Sequence, residues 1–367
     1  MPPKKKPGKL PSSLPAVPQY TPLVSQSEPH EAAGLPQEWC TSEVGVFKQL
    51  FTREIWESLC DNTNAYYLRQ SMTESGPAAG TTVIPRSWKP TTVGELKVWV
   101  GLLLCMGVVR FPAITDYWRD YWKLNPMSAM SLNRFQQIKR YLHVSPPVPP
   151  GEKRQWWQKM EPMSSIAQKR FRECYVPSSN LSIDEMMVKC QGRSAHTLIM
   201  KNKPISQGYK LFALADHGYT YSWVYHSRTK AGSALESAAY ESEAVTTTRP
   251  PVCNLQNMLA SCTFLCPYKT HQFNIYFDNY FTNIALYATL REYKIGACGT
   301  ARISTIPEEL RVDKGLASKE LEWNDLFGTV VGDVLCGLWQ DNAQVLVMST
   351  IHDLQTGTLW QCWRYAL

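Results

Sequence analysis

The stretch that decides the fold is residues 181–193, LSIDEMMVKCQGR, read together with residues 273–282, FNIYFDNYFT. In the first, Leu181, Ile183, Met186 and Val188 flank polar residues in a short run that predicts a β-strand. In the second, an apolar run over 273–277 predicts another strand, with Asp278 at its end. Both strands therefore carry an aspartate, Asp184 or Asp278, where the rest of the run is mostly apolar.

Between them lie residues 209–216 and 219–226, separated by His217–Gly218, which read as a hairpin. Residues 227–251 are rich in Ala, Ser, Glu and Thr and predict a surface loop, followed by a helix over about 252–262. Beyond the second aspartate, Thr282 is expected to cap a helix carrying Ile284, Tyr287 and Leu290, and residues 293–298 predict a further strand. Three antiparallel strands followed by alternating helices and parallel strands is the order of an RNase H-like α/β fold, a mixed sheet with helices on both faces. The remaining strand candidates, 330–338 and 345–351, come too late for that core and predict an inserted or appended β-rich segment over 303–353.

Upstream the pattern is helical. Val46, Phe47, Leu50, Ile55, Trp56, Leu59 and Cys60 recur at spacings of three to five. Thr92 and Glu95 form a capping box before an apolar run that ends near Gly107 and Pro112. That helix is apolar on nearly all sides, which predicts a buried one. Another opens near Ser131 with Leu132, Phe135, Ile138 and Leu142 on one face and Arg134, Lys139 and Arg140 largely on the other. Those cations form either a solvated face or a contact with a DNA backbone. After the Pro-rich break at 146–153, a basic helix over about 164–174 closes an all-helical N-terminal domain, 38–175.

Residues 1–37 hold nine of the chain's 25 prolines and are expected to be disordered. Lys4, Lys5, Lys6 and Lys9 in that tail supply four of the net +7 charges. They read as a solvated tail, a nuclear-import patch or a phosphate-seeking arm, and the expected location is the nucleus. The longest apolar run is twelve residues, 98–109, short of the roughly 18 needed to span a bilayer, and no secretory leader opens the chain. The expectation is a soluble intracellular protein with no membrane partner and no small-molecule substrate. At 367 residues it should form two or three folding units. Eleven cysteines contain no CxxC pair and sit at irregular spacings, so a disulfide framework is not expected. Cys262, Cys266 and His271 are the one local cluster with any zinc-like character, and free thiols explain it better.

The chemistry rests on Asp184 and Asp278. Their strands are first and fourth in the predicted fold and neighbours in its sheet, so the two carboxylates approach and repel unless a divalent cation neutralises them. Oxygen ligands suit Mg²⁺ or Mn²⁺, which can activate a water or a 3′-hydroxyl and stabilise a leaving oxygen in phosphodiester transfer. The plainer alternative is that each aspartate ends a strand or caps a turn. Glu185 alternates to the other sheet face and is not counted as a ligand, and turn chemistry accounts for Asp216. Lys189, Arg193, Lys201, Lys203 and Lys210 make a positive stretch suited to a phosphate backbone.

These residues resemble a family. LSIDEMMVKCQGR, KNKP at 201–204 with Gly208 and Lys210, FDNYFT, and GTAR at 299–302 look like a piggyBac-type transposase. So do SWKPTTVGELKVWVGLLLCMG at 87–107, MSLNRFQQIKRYLHV at 130–144 and GLWQDNAQVLVMSTIHD at 337–353. The resemblance covers roughly residues 40–353. It implies cut-and-paste DNA transposition at TTAA sites by a DDE-type RNase H-like core, terminal-repeat recognition, and dimeric assembly on DNA. It also implies three metal-binding aspartates, of which Asp184 matches the first and Asp278 the second. The third belongs to a helix-borne GVD-type motif that is not found here. After Asp353 the chain runs LQTGTLWQCWRYAL, a divergent tail over 354–367, without the cysteine-rich module that often ends these proteins. Asp341 and Asp353 remain as substitute carboxylates, and Asp341 reads as a turn residue between strands. Arg193, Lys203, Lys210 and Arg302 are candidate DNA contacts.

Three readings follow. The first is a transposase-derived DNA-binding protein that keeps two of three metal ligands and is expected to be inactive alone. The second is a non-catalytic DNA- or protein-binding module. The third is an unstable fragment whose sheet lacks its last covering helix.

Overall fold

The computed structural model describes residues 20–23, 33–34, 42–74, 88–119, 125–149, 151–152, 156–192, 194–201, 203–226, 272–311, 322–323 and 325–354. The expected loop over 227–251, the helix over 252–262, the Cys262–Cys266–His271 cluster, Arg193 and the tail lysines lie outside them. The chain divides into two compact units, residues 35–174 and residues 1–34 with 175–367.

The helical unit contains α1 (Glu43–Leu50), α2 (Arg53–Glu74), α3 (Val93–Val108), α4 (Leu132–Tyr141) and α5 (Met163–Glu173). Its starts are those that local chemistry dictates. The Thr92 hydroxyl accepts from the Glu95 N–H at 3.2 Å, and Ser131 does the same for Arg134 at 3.3 Å. Trp56, Leu59, Leu96, Trp99, Leu102, Phe135 and Ile138 form the core, and the Trp99 indole donates to the Phe135 carbonyl at 3.2 Å. α3 departs from expectation. It buries Leu96, Trp99 and Leu102 but leaves Leu104 59% and Val108 85% exposed, so a helix apolar on nearly all sides has a covered side and an uncovered one. Arg134 is not a surface cation either. It makes two 2.6 Å bonds to Glu95, donates to the Lys89 carbonyl at 2.9 Å and lies over Trp88 at 4.6 Å, which ties α4 to the start of α3. Among the described residues no helix is long and apolar enough to cross a membrane.

The second unit is built on one sheet: β1 (Asn180–Lys189), β2 (Leu198–Ile199), β3 (Gln207–Asp216), β4 (Tyr219–Tyr225), β5 (Asn274–Phe277), β6 (Gly296–Thr300), β7 (Leu326–Val331), β8 (Val334–Gln340) and β9 (Gln344–Ser349). The strand order is β2-β3-β1-β5-β6-β9-β8-β7, with β4 also on β3. β1, β3 and β4 are antiparallel, while β5 runs parallel to β1 and β6 parallel to β5. This is the expected RNase H-like α/β arrangement. Alternation sends Leu181, Ile183, Phe212, Leu214, Ile275, Phe277, Ala297 and Met348 to one face, which buries them against Phe281 and α6 (Ile284–Glu292) through Leu286, Tyr287 and Leu290.

Several details differ from the sequence reading. α6 is capped by Asn283, whose side chain accepts from the Leu286 N–H at 2.9 Å. The Thr282 hydroxyl instead bonds the Asp278 carbonyl at 3.1 Å. The strand expected over 293–298 starts at Gly296, after a turn at Tyr293–Lys294. The strand expected over 330–338 is two strands, because Gly332 and Asp333 both adopt positive φ, 55° and 61°, and reverse the chain. Nor do these strands stand apart from the core. β9 pairs antiparallel with β6, so the segment expected as an insertion over 303–353 continues the same sheet.

The tail expected to be disordered is partly placed. Tyr20 packs on Leu335 and Val347 and donates to the Ser349 carbonyl at 3.2 Å. The Leu23 N–H reaches the Thr350 carbonyl at 2.7 Å, and Arg291 donates to the Thr21 carbonyl at 2.7 Å. A few apolar side chains over the second sheet face suffice to order a Pro-rich segment locally.

Candidate active site

The two aspartates converge by register. The parallel β1–β5 pairing sets Ser182 opposite Tyr276 and Ile183 opposite Phe277, so Asp184 and Asp278 follow at the next step. Ile183 and Phe277 are buried on the core face, and Asp184 and Asp278, one residue on, are exposed. Neighbouring strands lie about 4.8 Å apart. Two unit charges at that spacing repel by about 1 kcal/mol in water and about 3.5 at an effective dielectric of 20.

Each carboxylate is tied to its own backbone. The Glu185 N–H donates to Asp184 Oδ1 at 2.6 Å, and the Asn279 N–H donates to Asp278 Oδ1 at 2.5 Å. Asp278 opens a tight turn in which its carbonyl accepts from the Phe281 N–H at 3.1 Å and from Thr282. This turn lies at the carboxyl end of β5, and the GTAR segment leaves the carboxyl end of β6 beside it. Ligands of open α/β sheets bind at such ends. Gly299 is what lets the two approach: a Cβ there would sit 2.5 Å from the Thr282 hydroxyl and 2.6 Å from the Phe277 carbonyl.

Arg302 belongs to this place. It is exposed, its Nε donates to Asn279 Oδ1 at 3.2 Å, and its guanidinium lies 5.6 Å from the Tyr280 ring centre. Lys203 sits in the turn between β2 and β3, with its N–H on the Met200 carbonyl at 3.1 Å. Lys210 corrects the sequence reading. It is buried, ion-paired with Glu185 (7% and 9% side-chain exposure), and packed 4.4 Å from the centre of the Tyr280 ring, so its charge is not offered to a phosphate. The sequence reading set Glu185 aside as a ligand and did not single out Tyr280. The available signal was an acidic residue sharing the apolar face of Ile183, which requires a buried cation.

Two further polar groups prove structural. Asp216 is buried and accepts from the Ser178 N–H (2.6 Å), the Ser178 hydroxyl (3.0 Å) and the Tyr175 hydroxyl (3.1 Å), and it pairs with His217. Burial, with the Asp216 charge beside it, pushes the Tyr175 hydroxyl up to about 12. Asp341 lies in the β8–β9 turn and accepts from the Trp323 indole at 3.3 Å.

Asp184 and Asp278 suit an oxygen-seeking divalent cation in donor type. They are like charges at matched positions, and among the described residues neither is in an ion pair. Among the described residues no third His, Cys, Asp or Glu completes a metal-holding group.

A mixed sheet of this order, with Asp184 within β1 and Asp278 just past β5, places the unit in the α/β class of RNase H-like folds. A family model described as "Transposase IS4" matches residues 42–363, and the chain belongs to this family as a piggyBac-type member. Human piggyBac transposable element-derived protein 3 is 28% identical over 284 residues, covering 72% of this chain and 43% of that protein. Human piggyBac transposable element-derived protein 2 is 24% identical over 290 residues, covering 75% of this chain and 42% of its own. The chain thus spans less than half the length of these relatives. A cryo-EM structure of a piggyBac transposase synaptic complex with hairpin DNA shares the fold, with a TM-score of 0.68 at 19% identity, covering 92% of this chain and 68% of that one.

Proposed function

We propose that this chain is a transposase-derived DNA-binding protein of the nucleus, which engages transposon terminal repeats and keeps two carboxylates, Asp184 and Asp278, of a Mg²⁺ or Mn²⁺ site. The observation that carries the reading is that Asp184 and Asp278 are both exposed, each one residue past the last paired step of the β1–β5 ladder, with Arg302 bonded to Asn279 beside Asp278. A divalent cation held there would supply activation of a water or 3′-hydroxyl and stabilise the leaving oxygen. The chain's own contribution is to orient the carboxylates through the Glu185 and Asn279 N–H groups and to present Arg302 to a phosphate. Two ligands give less positional control of the ion than three, and among the described residues no third joins them, so strand transfer is not expected of these two carboxylates alone. Assembly as a homodimer on DNA and nuclear import through Lys4, Lys5, Lys6 and Lys9 belong to the same proposal.

The test measures binding and cleavage of DNA carrying the source element's terminal repeats, with Mg²⁺ or Mn²⁺, for the wild type, Asp184→Asn and Asp278→Asn. Salt-sensitive binding without strand transfer is the expected result. Absence of DNA binding by folded protein sinks the proposal. Cleavage lost in both variants would show instead that a working site survives. Binding indifferent to the metal and to both substitutions would favour a non-catalytic binding module.

A further inference from the structure

We infer that Lys210 is a positioning residue for the Asp184–Asp278 pair, acting from the opposite face of the sheet; this rests on the reading of that pair as a cation site. The antiparallel β1–β3 register sets Glu185 opposite Phe212 and Met187 opposite Lys210, which makes Glu185 and Lys210 diagonal neighbours on the core face. The ammonium pairs with the Glu185 carboxylate. Glu185 is covalently next to Asp184, and its N–H already holds an Asp184 oxygen.

The same ammonium lies over the Tyr280 ring, 4.4 Å from its centre, and 5.0 Å from that of Phe212. Tyr280 is two residues past Asp278, in the turn that the Phe281 N–H closes onto the Asp278 carbonyl. Arg302 engages the same ring at 5.6 Å and the same turn through Asn279. One buried cation thus grips the residue beside the first carboxylate and the turn bearing the second. A two-carboxylate site depends on the separation of its oxygens, and residues that orient ligands from behind typically alter metal affinity about 10- to 100-fold.

Lys210→Met alone would strand the buried Glu185 charge, so the informative variant is Lys210→Met with Glu185→Gln. Mn²⁺ binding to the full chain is followed by electron paramagnetic resonance well below each melting temperature. The comparison includes Asp184→Asn/Asp278→Asn as background and Val334→Ala, a core change remote in sequence, as a control for destabilisation. The expected result is about tenfold weaker Mn²⁺ binding in the paired variant, with Val334→Ala unchanged and Lys210→Arg closer to wild type. Wild-type binding no tighter than background would overturn the cation site and this inference with it. Tight wild-type binding that the paired variant retains would overturn the inference alone. If that variant does not fold, Tyr280→Leu carries the test: weaker binding is expected, and unchanged binding overturns it.

Discussion

Gly208 lies so close to Val188 that a Cβ on it would sit 2.0 Å from the Val188 carbonyl oxygen and 2.7 Å from its carbon. The atoms it would meet are backbone atoms of the β1–β3 ladder, which cannot rotate away. β1 carries Asp184 and β3 carries Lys210, so this contact underlies the geometry on both faces. Gly208→Ala should therefore cost at least about 3 kcal/mol, near the upper end for overpacking, or prevent folding. Urea denaturation compared with the wild type measures it, and a loss under 1 kcal/mol would mean that the strands separate without cost.

The Glu95–Arg134 pair anchors the helical unit in the same way. Hydrogen bonds from Arg134, and then from Thr91, hold the Glu95 carboxyl below its ordinary value. With a folded pKa below the unfolded one, the pair's stabilisation is complete above about pH 4.5 and is lost as pH falls through the folded value. Arg134→Met should lower stability at pH 7 by about 2 kcal/mol, since it leaves a half-buried carboxylate without its cation. The gap to wild type should narrow below pH 4 in thermal melts.

His352 should make the sheet unit sensitive to mild acid. Its Nδ1 is 3.0 Å from the Ser349 hydroxyl, which also accepts the Ile351 and His352 N–H groups. That hydroxyl proton is therefore directed to Nδ1, and the ring is neutral with its hydrogen on Nε2. Burial lowers its pKa, opposed by Asp353. The unfolded chain then takes up a proton near pH 6.5 before the folded one does. Stability is full above that value and declines as pH falls towards the folded pKa. Melting temperatures at pH 7.5 and 5.5 should differ more for wild type than for His352→Gln.

Arg302 and Lys210, both cationic and both near Tyr280, should behave oppositely on substitution. Arg302→Ala is expected to weaken DNA binding across sequences and reduce the salt slope by about one phosphate contact, with stability changed by less than about 0.5 kcal/mol. Lys210→Ala is expected to destabilise by about 3 kcal/mol or more through the unpaired Glu185. Filter binding at several salt concentrations, beside thermal melts, separates the two. A matching loss of salt slope in a folded Lys210 variant would return that lysine to the DNA surface.

What the sequence by itself determined were features set over one to four residues: the alternation that exposes Asp184 while burying Ile183, the His217–Gly218 turn, and the caps at Thr92 and Ser131. The strand order followed from these, and with it the proximity of Asp184 and Asp278. The Gly332–Asp333 reversal was equally local but lay hidden in an apolar run, and Asn283 outcompeted Thr282 as a cap because the Asp278 turn had already engaged the threonine. Only the tertiary structure decided which charges face water. Lys210 meets Glu185 across 25 residues of chain, and Arg134 meets Glu95 across 39. Both lysine and arginine look like surface cations in isolation. Burying an ion pair depends on strand register and helix packing brought together from distant segments, and no local rule about charge or propensity says which cation meets which carboxylate.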